Sequence, residues 1–404
     1  MKSIIFIGTQ KSGSSREAIK AARRLGYKTV LLTSRINQIR NQEAYPDVSQ
    51  MVFCNVTDYV DLKRNISELQ ENGLEIETII SFVDSYVYIA SLLADEFGVG
   101  CFTSDAIFKM HDKLLSRECI KQTPYVPWYK ILKDNYYESV DEIYHRLPLI
   151  LKKPNSTGSK DVYLVNSVSE YLDRLERLSN GYHDQVIVEQ YIKGPQFLVE
   201  SLVENKEIKI VAIIQQEIYI YSGHSIVTGY QLKLDLDSEF EQSLREAVTE
   251  IVMCHGMKNG ACHLEMRYVN NQWKLIEINP RISGVAMNEF IFYGLGINLA
   301  EQTLNLALKK PLQLTPKYEM YTNAQYLISL LSGKLLKVTG RNEALNKFGV
   351  IKVFIKPQRG STIYTPTSMG YRYAYVIANG QDEHQAKINA KIAASKIKFH
   401  ILRE

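Results

Sequence analysis

Two acidic residues twelve positions apart, Glu265 and Glu277, stand in the segments His263-Leu264-Glu265 and Glu277-Ile278-Asn279-Pro280-Arg281. Between them lies Asn270-Asn271-Gln272, a turn-forming run flanked by strand-like residues, so the stretch reads as a β-hairpin. Side chains alternate faces along a strand. Positions 263, 265 and 267 therefore share a face, as do 273, 275, 277 and 279. With a three-residue loop over 270–272, Glu265 lies opposite Glu277 and His263 opposite Asn279. A two-residue loop would put the glutamates on opposite faces. Two bare carboxylates side by side repel each other unless a cation sits between them. Such oxygen donors suit Mg²⁺, which takes a few protein carboxylates and completes its shell with water and phosphate. A solvated polar strand face is the plainer alternative.

Strands at 3–8, 28–33, 50–54, 79–82 and 100–101 alternate with helices such as 15–25, an order that implies a parallel sheet. The first turn, Gly8-Thr9-Gln10-Lys11-Ser12-Gly13-Ser14-Ser15, is small and polar before a helix. It suits an anion or a substrate, but it is not GxGxxG, and an ordinary connecting turn explains it equally well. A helix over 105–122 carries Lys113. At 404 residues the chain needs several cores, and we divide it into 1–110, 111–310 with a lid at about 141–200, and 311–404. The net charge of +4 is small for this length and argues against nucleic acid. No apolar run approaches a membrane span, and the first residues read as a strand rather than a signal peptide. Five cysteines with no CxxC pair favour reduced thiols in the cytoplasm.

A strand, Leu149-Ile150-Leu151-Lys152, leads into the small-residue loop Asn155-Ser156-Thr157-Gly158-Ser159 and a second strand. Small residues let backbone N–H groups approach phosphate oxygens, and a lysine supplies a point charge. Downstream, Val186-Ile187-Val188-Glu189-Gln190-Tyr191-Ile192 is a strand whose edge could bind an adenine rim.

In this order, the lysine strand and loop, VEQYIKG, HLE and EINPR resemble the ATP-grasp superfamily across nearly the whole chain. The resemblance implies an α/β fold: an N-terminal parallel-sheet domain, a small lid, a central antiparallel catalytic sheet and a C-terminal domain. It implies ATP and Mg²⁺, with two ions. Lys113 and Lys152 would reach the phosphates, with the loop of Ser156, Gly158 and Ser159 around them. Glu189 and the backbone of Gln190, Tyr191 and Ile192 would hold adenine. Glu265, Glu277 and Asn279 would hold metal, and Arg281 would face the reacting carboxylate. Gln196 stands where many relatives bind ribose through glutamate, and Asp161 where a glycine usually closes the phosphate loop.

The start of the chain, the SFVDSY segment, GHS at 223–225 and the late GYRYAYVIANGQDEHQA resemble bacterial L-amino-acid ligases, nearest the arginine-selective ligases of rhizocticin-type biosynthesis. That implies a dipeptide synthetase acting through an aminoacyl phosphate on small-molecule amino acids, and a homodimer. Glu217 would pair with a substrate ammonium and His224 would contact the acyl phosphate or the amine. Val285 would be a wall of the second amino-acid pocket, and Asp84 would suit a basic side chain. A ligase that loads a carrier protein or another amine, and a non-catalytic nucleotide-binding module, are the rival readings.

Overall fold

The computed structural model describes residues 2–132, 140–154, 158, 160–179 and 185–402. The fold is α/β. The buried run Lys2–Ile7 pairs in parallel with Lys28–Thr33 on one side and Glu75–Ile80 on the other, and Gln50–Phe53 closes the sheet. Helices cover it, which is why its strands are continuously apolar. Gly100 and Cys101 form no strand. There the chain passes between the helices Val87–Glu96 and Ser104–His111, and Thr103 N–H is tied to Asn259 O at 2.9 Å instead of to a ladder.

A small antiparallel sheet follows, in the order Tyr129–Leu132, Val186–Gln190, Leu149–Lys152, Val162–Val165. The helix Val168–Leu178, capped by Ser167, covers one face through Tyr171 and Leu175 packed on Leu149, Leu151 and Val165. The sheet thus begins before residue 141, taking in Tyr129–Leu132.

The central sheet has eight antiparallel strands, in the order Gln272–Asn279, Gly260–Val269, Gln196–Glu204, Glu207–Tyr221, His224–Leu232, Tyr321–Leu327, Ala374–Gly380, Val350–Ile355. It runs across residue 311, so the C-terminal segment adds strands to the same sheet. The helix Ser238–Cys254 buries Leu244, Val248 and Ile251 against Val199, Leu264 and Leu275. Among the described residues no helix is long and apolar enough to cross a membrane, and the five cysteines are free.

Candidate active site

The hairpin places Glu265 opposite Glu277, but not by the expected loop. Asn270 and Asn271 alone form the turn, with φ of 49° and 57°, and Val269 pairs with Gln272. This left-handed pair suits asparagine and matches the twist of the strands. On its own it would put the glutamates out of step. A β-bulge beside Glu265 restores the register: Met266 faces Leu275, Glu265 faces Glu277, and Ile276 is the extra residue. The Ile276 carbonyl accepts from Arg117 Nη2 at 2.6 Å.

The carboxyl of Glu265 is pushed up to about 7 by burial and by the nearby charge of Glu277. Gln196 Nε2 donates to it at 3.1 Å, and Lys113 Nζ lies 3.3 Å from Glu277 Oε1. Asn279 lies two residues beyond Glu277 on the same face, opposite His263. A cation would offset this crowding of acids. Among the described residues no group of three or more His, Cys, Asp or Glu is placed to hold a metal ion. The donor set therefore fits Mg²⁺, which completes its shell with water and phosphate, better than a dedicated zinc cage.

Lys113 opens a helix of its own. Asp112 accepts from the N–H groups of Leu114 and Leu115, and so ends Ser104–His111 and starts Lys113–Cys119 where one helix was expected. One turn on, Arg117 points the same way. Its Nε donates to Glu189 Oε1 at 2.8 Å, and Lys152 Nζ donates to Glu189 Oε2 at 2.7 Å. Burial opposes ionisation of Glu189, yet Arg117 and Lys152 outweigh it and bring the carboxyl down to about 2. Lys152 is lowered to about 8, by burial above all. Sequence reasoning missed Arg117, although its spacing of four from Lys113 puts both on one helix face.

These groups line one pocket. Lys113, Lys152, Glu189, Gln190, Tyr191, Ile192, Gln196, Glu265 and Glu277 all border it. Ile150 and Val162 from the small sheet face Ile218, Val227 and Ile276 from the central sheet, which leaves a flat apolar slot. Gln190 N–H and Tyr191 N–H are bonded to Trp128 O and Pro148 O, whereas the N–H of Ile192 has no partner among the described residues. Gln196 spends its amide on protein: Oε1 accepts from Arg267 Nε at 2.8 Å, and Nε2 donates to Gln216 and Glu265. Arg267, which also donates to Ile192 O and lies over the Tyr191 ring, shares its strand face with Glu265 and was a second missed residue.

Ser156 and Ser159 lie outside the described residues. Gly158 O accepts from Met369 N at 3.1 Å, and Leu164 N donates to Gly223 O at 2.9 Å, so the small sheet is tied to both neighbours. Asp161 has φ of 54°, keeping the left-handed backbone expected of a glycine there; aspartate tolerates it better than most residues.

Two expected substrate residues are misplaced. Glu217 faces the C-terminal helix, where Lys391 and Lys387 lie 2.7 and 2.9 Å away, and a carboxylate matched by two lysines has no charge to spare for a substrate ammonium. Gln216 takes the pocket side of that strand. His224 packs on Tyr163, 5.0 Å between centroids, on the face opposite Ser225 and Val227, which line the pocket. Burial and Arg174 lower its pKa. It is a contact between the small sheet and the central sheet, not a group aimed at an acyl phosphate.

Arg281 and Asp84 come together, with Arg281 Nε 2.9 Å from Asp84 Oδ1. Burial works against the Asp84 charge, but Arg281 and His111 hold it below the ordinary carboxylate value. Asp84 therefore serves Arg281 and is not free for a basic substrate. Val285 lies at the end of the same loop with φ of 55°, half exposed, on a cleft of about 960 Å³. A β-branched residue there is strained, a condition that clusters at functional sites. Gly13 makes room for it: a Cβ on Gly13 would come within 2.5 Å of Val285 O. The first turn of the chain therefore borders this cleft through Gln10, Lys11 and Ser12.

Glu200 steadies the loop from beneath. It is fully buried, accepts from Ser283 N–H at 3.1 Å, and burial pushes it up to about 7. Its folded value exceeds its unfolded one, so the stability tied to its protonated form is lost as pH rises from about 4.5 through 7. Glu200→Gln keeps an acceptor for Ser283 N–H. We expect it to raise stability at pH 8 by roughly 1–3 kcal/mol and to change little at pH 4.5. Denaturant melts at both pH values check this, and an equal effect at both would contradict it.

An ATP-grasp domain model matches residues 145–289, and a model of the L-amino acid ligase C-terminal domain 2 matches residues 325–401. The chain thus carries an ATP-grasp domain. More particularly, that domain is followed by a C-terminal domain of the L-amino acid ligase type. Its fold is similar to that of an L-amino acid ligase from Bacillus licheniformis, with a TM-score of 0.84 and 17% identity, covering 100% of this chain and 99% of that one. Carnosine synthase 1 of Homo sapiens is 20% identical over 350 residues, which are 78% of this chain and 41% of the relative. D-alanine–D-alanine ligase B of Pseudomonas syringae pv. tomato is 30% identical over 134 residues, 33% of this chain and 42% of that protein. The chain spans about half or less of the length of the first curated relatives it matches.

Proposed function

We propose that this protein is an ATP-dependent carboxylate–amine ligase that joins two unprotected L-amino acids. One amino-acid carboxylate attacks the γ-phosphorus of ATP, releasing ADP and giving an aminoacyl phosphate. The neutral amine of the second amino acid then attacks the acyl carbon, the amide bond forms, and phosphate leaves with one former carboxylate oxygen. The observation that carries this reading is two spaces with a common wall at Met369: a pocket with Lys152, Lys113 and paired glutamates, and a cleft bordered by Val285. Two of the similar proteins are, by name, ligases of amino acids.

The flat apolar slot suits adenine, and the N–H of Ile192, without a partner among the described residues, can donate to its rim. Lys152 and Lys113 offset phosphate charge. Glu265, Glu277 and Asn279 would hold Mg²⁺, with two ions as the resemblance implies, and bound Mg²⁺ neutralises charge on the phosphates. Arg281, held by Asp84, presents its remaining N–H groups to the reacting carboxylate. The lid ties through Gly158 and Leu164 keep water from the acyl phosphate. Reduced cysteines and an ATP substrate fit the cytoplasm, and a homodimer is the assembly we adopt from the resemblance.

Val285 limits the acceptor. Val285→Trp is expected to lower kcat/KM for bulky second amino acids at least tenfold while sparing glycine; unchanged use of bulky acceptors would contradict this placement. The function is tested by incubating the protein with ATP, Mg²⁺ and pairs of amino acids, with mass spectrometry of the products. Phosphate release with a dipeptide supports it. Release only with a carrier protein or another amine, or none at all, overturns it.

A further inference from the structure

The cleft beside the nucleotide pocket is charged on both walls. Lys11 and Arg35 stand on its N-terminal side, and Lys356 and Arg372 on its C-terminal side, while among the described residues no aspartate or glutamate lines it. Their hydrogen bonds go to neutral groups: Arg35 Nη1 to Gln10 Oε1 at 3.1 Å, Lys356 Nζ to Gly370 O at 2.7 Å, and Arg372 Nη1 to the Tyr230 hydroxyl at 3.0 Å. None of the four has a carboxylate within ion-pair distance among the described residues. Arg372 lies deepest. Its guanidinium stacks on Tyr326 at 4.2 Å, and its Nε is buried without a partner among the described residues. Lys356 is held below its ordinary pKa by burial and by Arg372, while Tyr230, Tyr326 and the more distant Glu265 favour the charge of Arg372.

Of the four, Arg372 is the one drawn out of water, which is costly without an anion in contact; Glu265 acts on it only from beyond ion-pair distance, and Lys11, Arg35 and Lys356 stand exposed around it. An ordinary amino acid is a zwitterion with no net charge. Set among four cations, its carboxylate is attracted and its ammonium is repelled. A second anionic group corrects the imbalance, whereas a basic side chain worsens it. We propose that this cleft takes an amino acid with an acidic side chain, whose carboxylate is anchored by Arg372 and Lys356. The inference rests on the ligase reading and gives it a substrate class. It departs from the arginine preference that the resemblance suggested, in keeping with an Asp84 already bound to Arg281.

The test pairs aspartate, glutamate, asparagine, glutamine, lysine and arginine in turn with a set of neutral amino acids, with ATP and Mg²⁺. Phosphate release and product mass are read. We expect kcat/KM for aspartate or glutamate to exceed that for the matching amide at least tenfold. Lys356→Gln, at the exposed rim, should reduce that ratio at least fivefold, and Arg372→Gln further. Dipeptide formation with the amides or the basic amino acids equal or better overturns the inference and leaves the ligase reading standing. An acid-to-amide ratio unmoved in both variants overturns it as well. No product with any pair overturns the ligase reading and this inference with it.

Discussion

Glu277→Gln is expected to lower amino-acid-dependent ATP turnover by about 10²–10³-fold while leaving the melting temperature unchanged or slightly raised. The amide keeps the shape and an acceptor oxygen. It loses the charge that faces Glu265 and Lys113. A structural carboxylate would behave in the opposite way, because removing it would cost stability. Here the loss relieves repulsion with a buried neighbour whose own carboxyl is pushed up to about 7. Binding of Mg²⁺-nucleotide, followed by calorimetry, should weaken in parallel with turnover. Turnover within tenfold of the parent protein would remove Glu277 from the site.

Arg117→Ala should destabilise the fold by about 3 kcal/mol, the lower end of the cost of breaking a buried ion pair, since Lys152 still faces Glu189. Arg117 is 2% exposed, and its guanidinium joins three elements: the helix it sits on, Glu189 of the small sheet, and the bulge carbonyl of Ile276. Its loss frees the bulge that sets the register of Glu277. A KM for ATP at least tenfold higher should therefore accompany the drop in melting temperature. Arg117→Lys keeps the charge but not the planar fork, so it should restore part of the stability and little of the KM. A variant as stable as the parent, with unchanged KM, would contradict this role.

The pairing of those two glutamates shows what a sequence can and cannot reveal. Alternation along each strand identified the face shared by Glu265 and Arg267, because period two is a local property. The loop length was misjudged, because Asn270 and Asn271 both adopt left-handed φ, and two errors then cancelled: a shorter loop and an unforeseen bulge. Bulges depend on partners distant in sequence, here Arg117, 159 residues from Ile276. Glu217 was misassigned for a related reason. Its strand carries irregularities between Ile210 and Ala212 and after Glu217, so which of Gln216 and Glu217 faces the pocket is fixed by pairing with Gln196, not by the local pattern. The helix break at Asp112 was legible in principle, since an aspartate that caps two N–H groups is a local signal.

The central claim is that a carboxylate is activated by phosphoryl transfer before an amine captures it. Supplying the donor amino acid with both carboxylate oxygens as ¹⁸O, together with ATP, Mg²⁺ and an acceptor, measures that step directly. One ¹⁸O is expected in the released phosphate for each dipeptide formed, with ADP as the other product. Unlabelled phosphate, or AMP and pyrophosphate in place of ADP and phosphate, would contradict it.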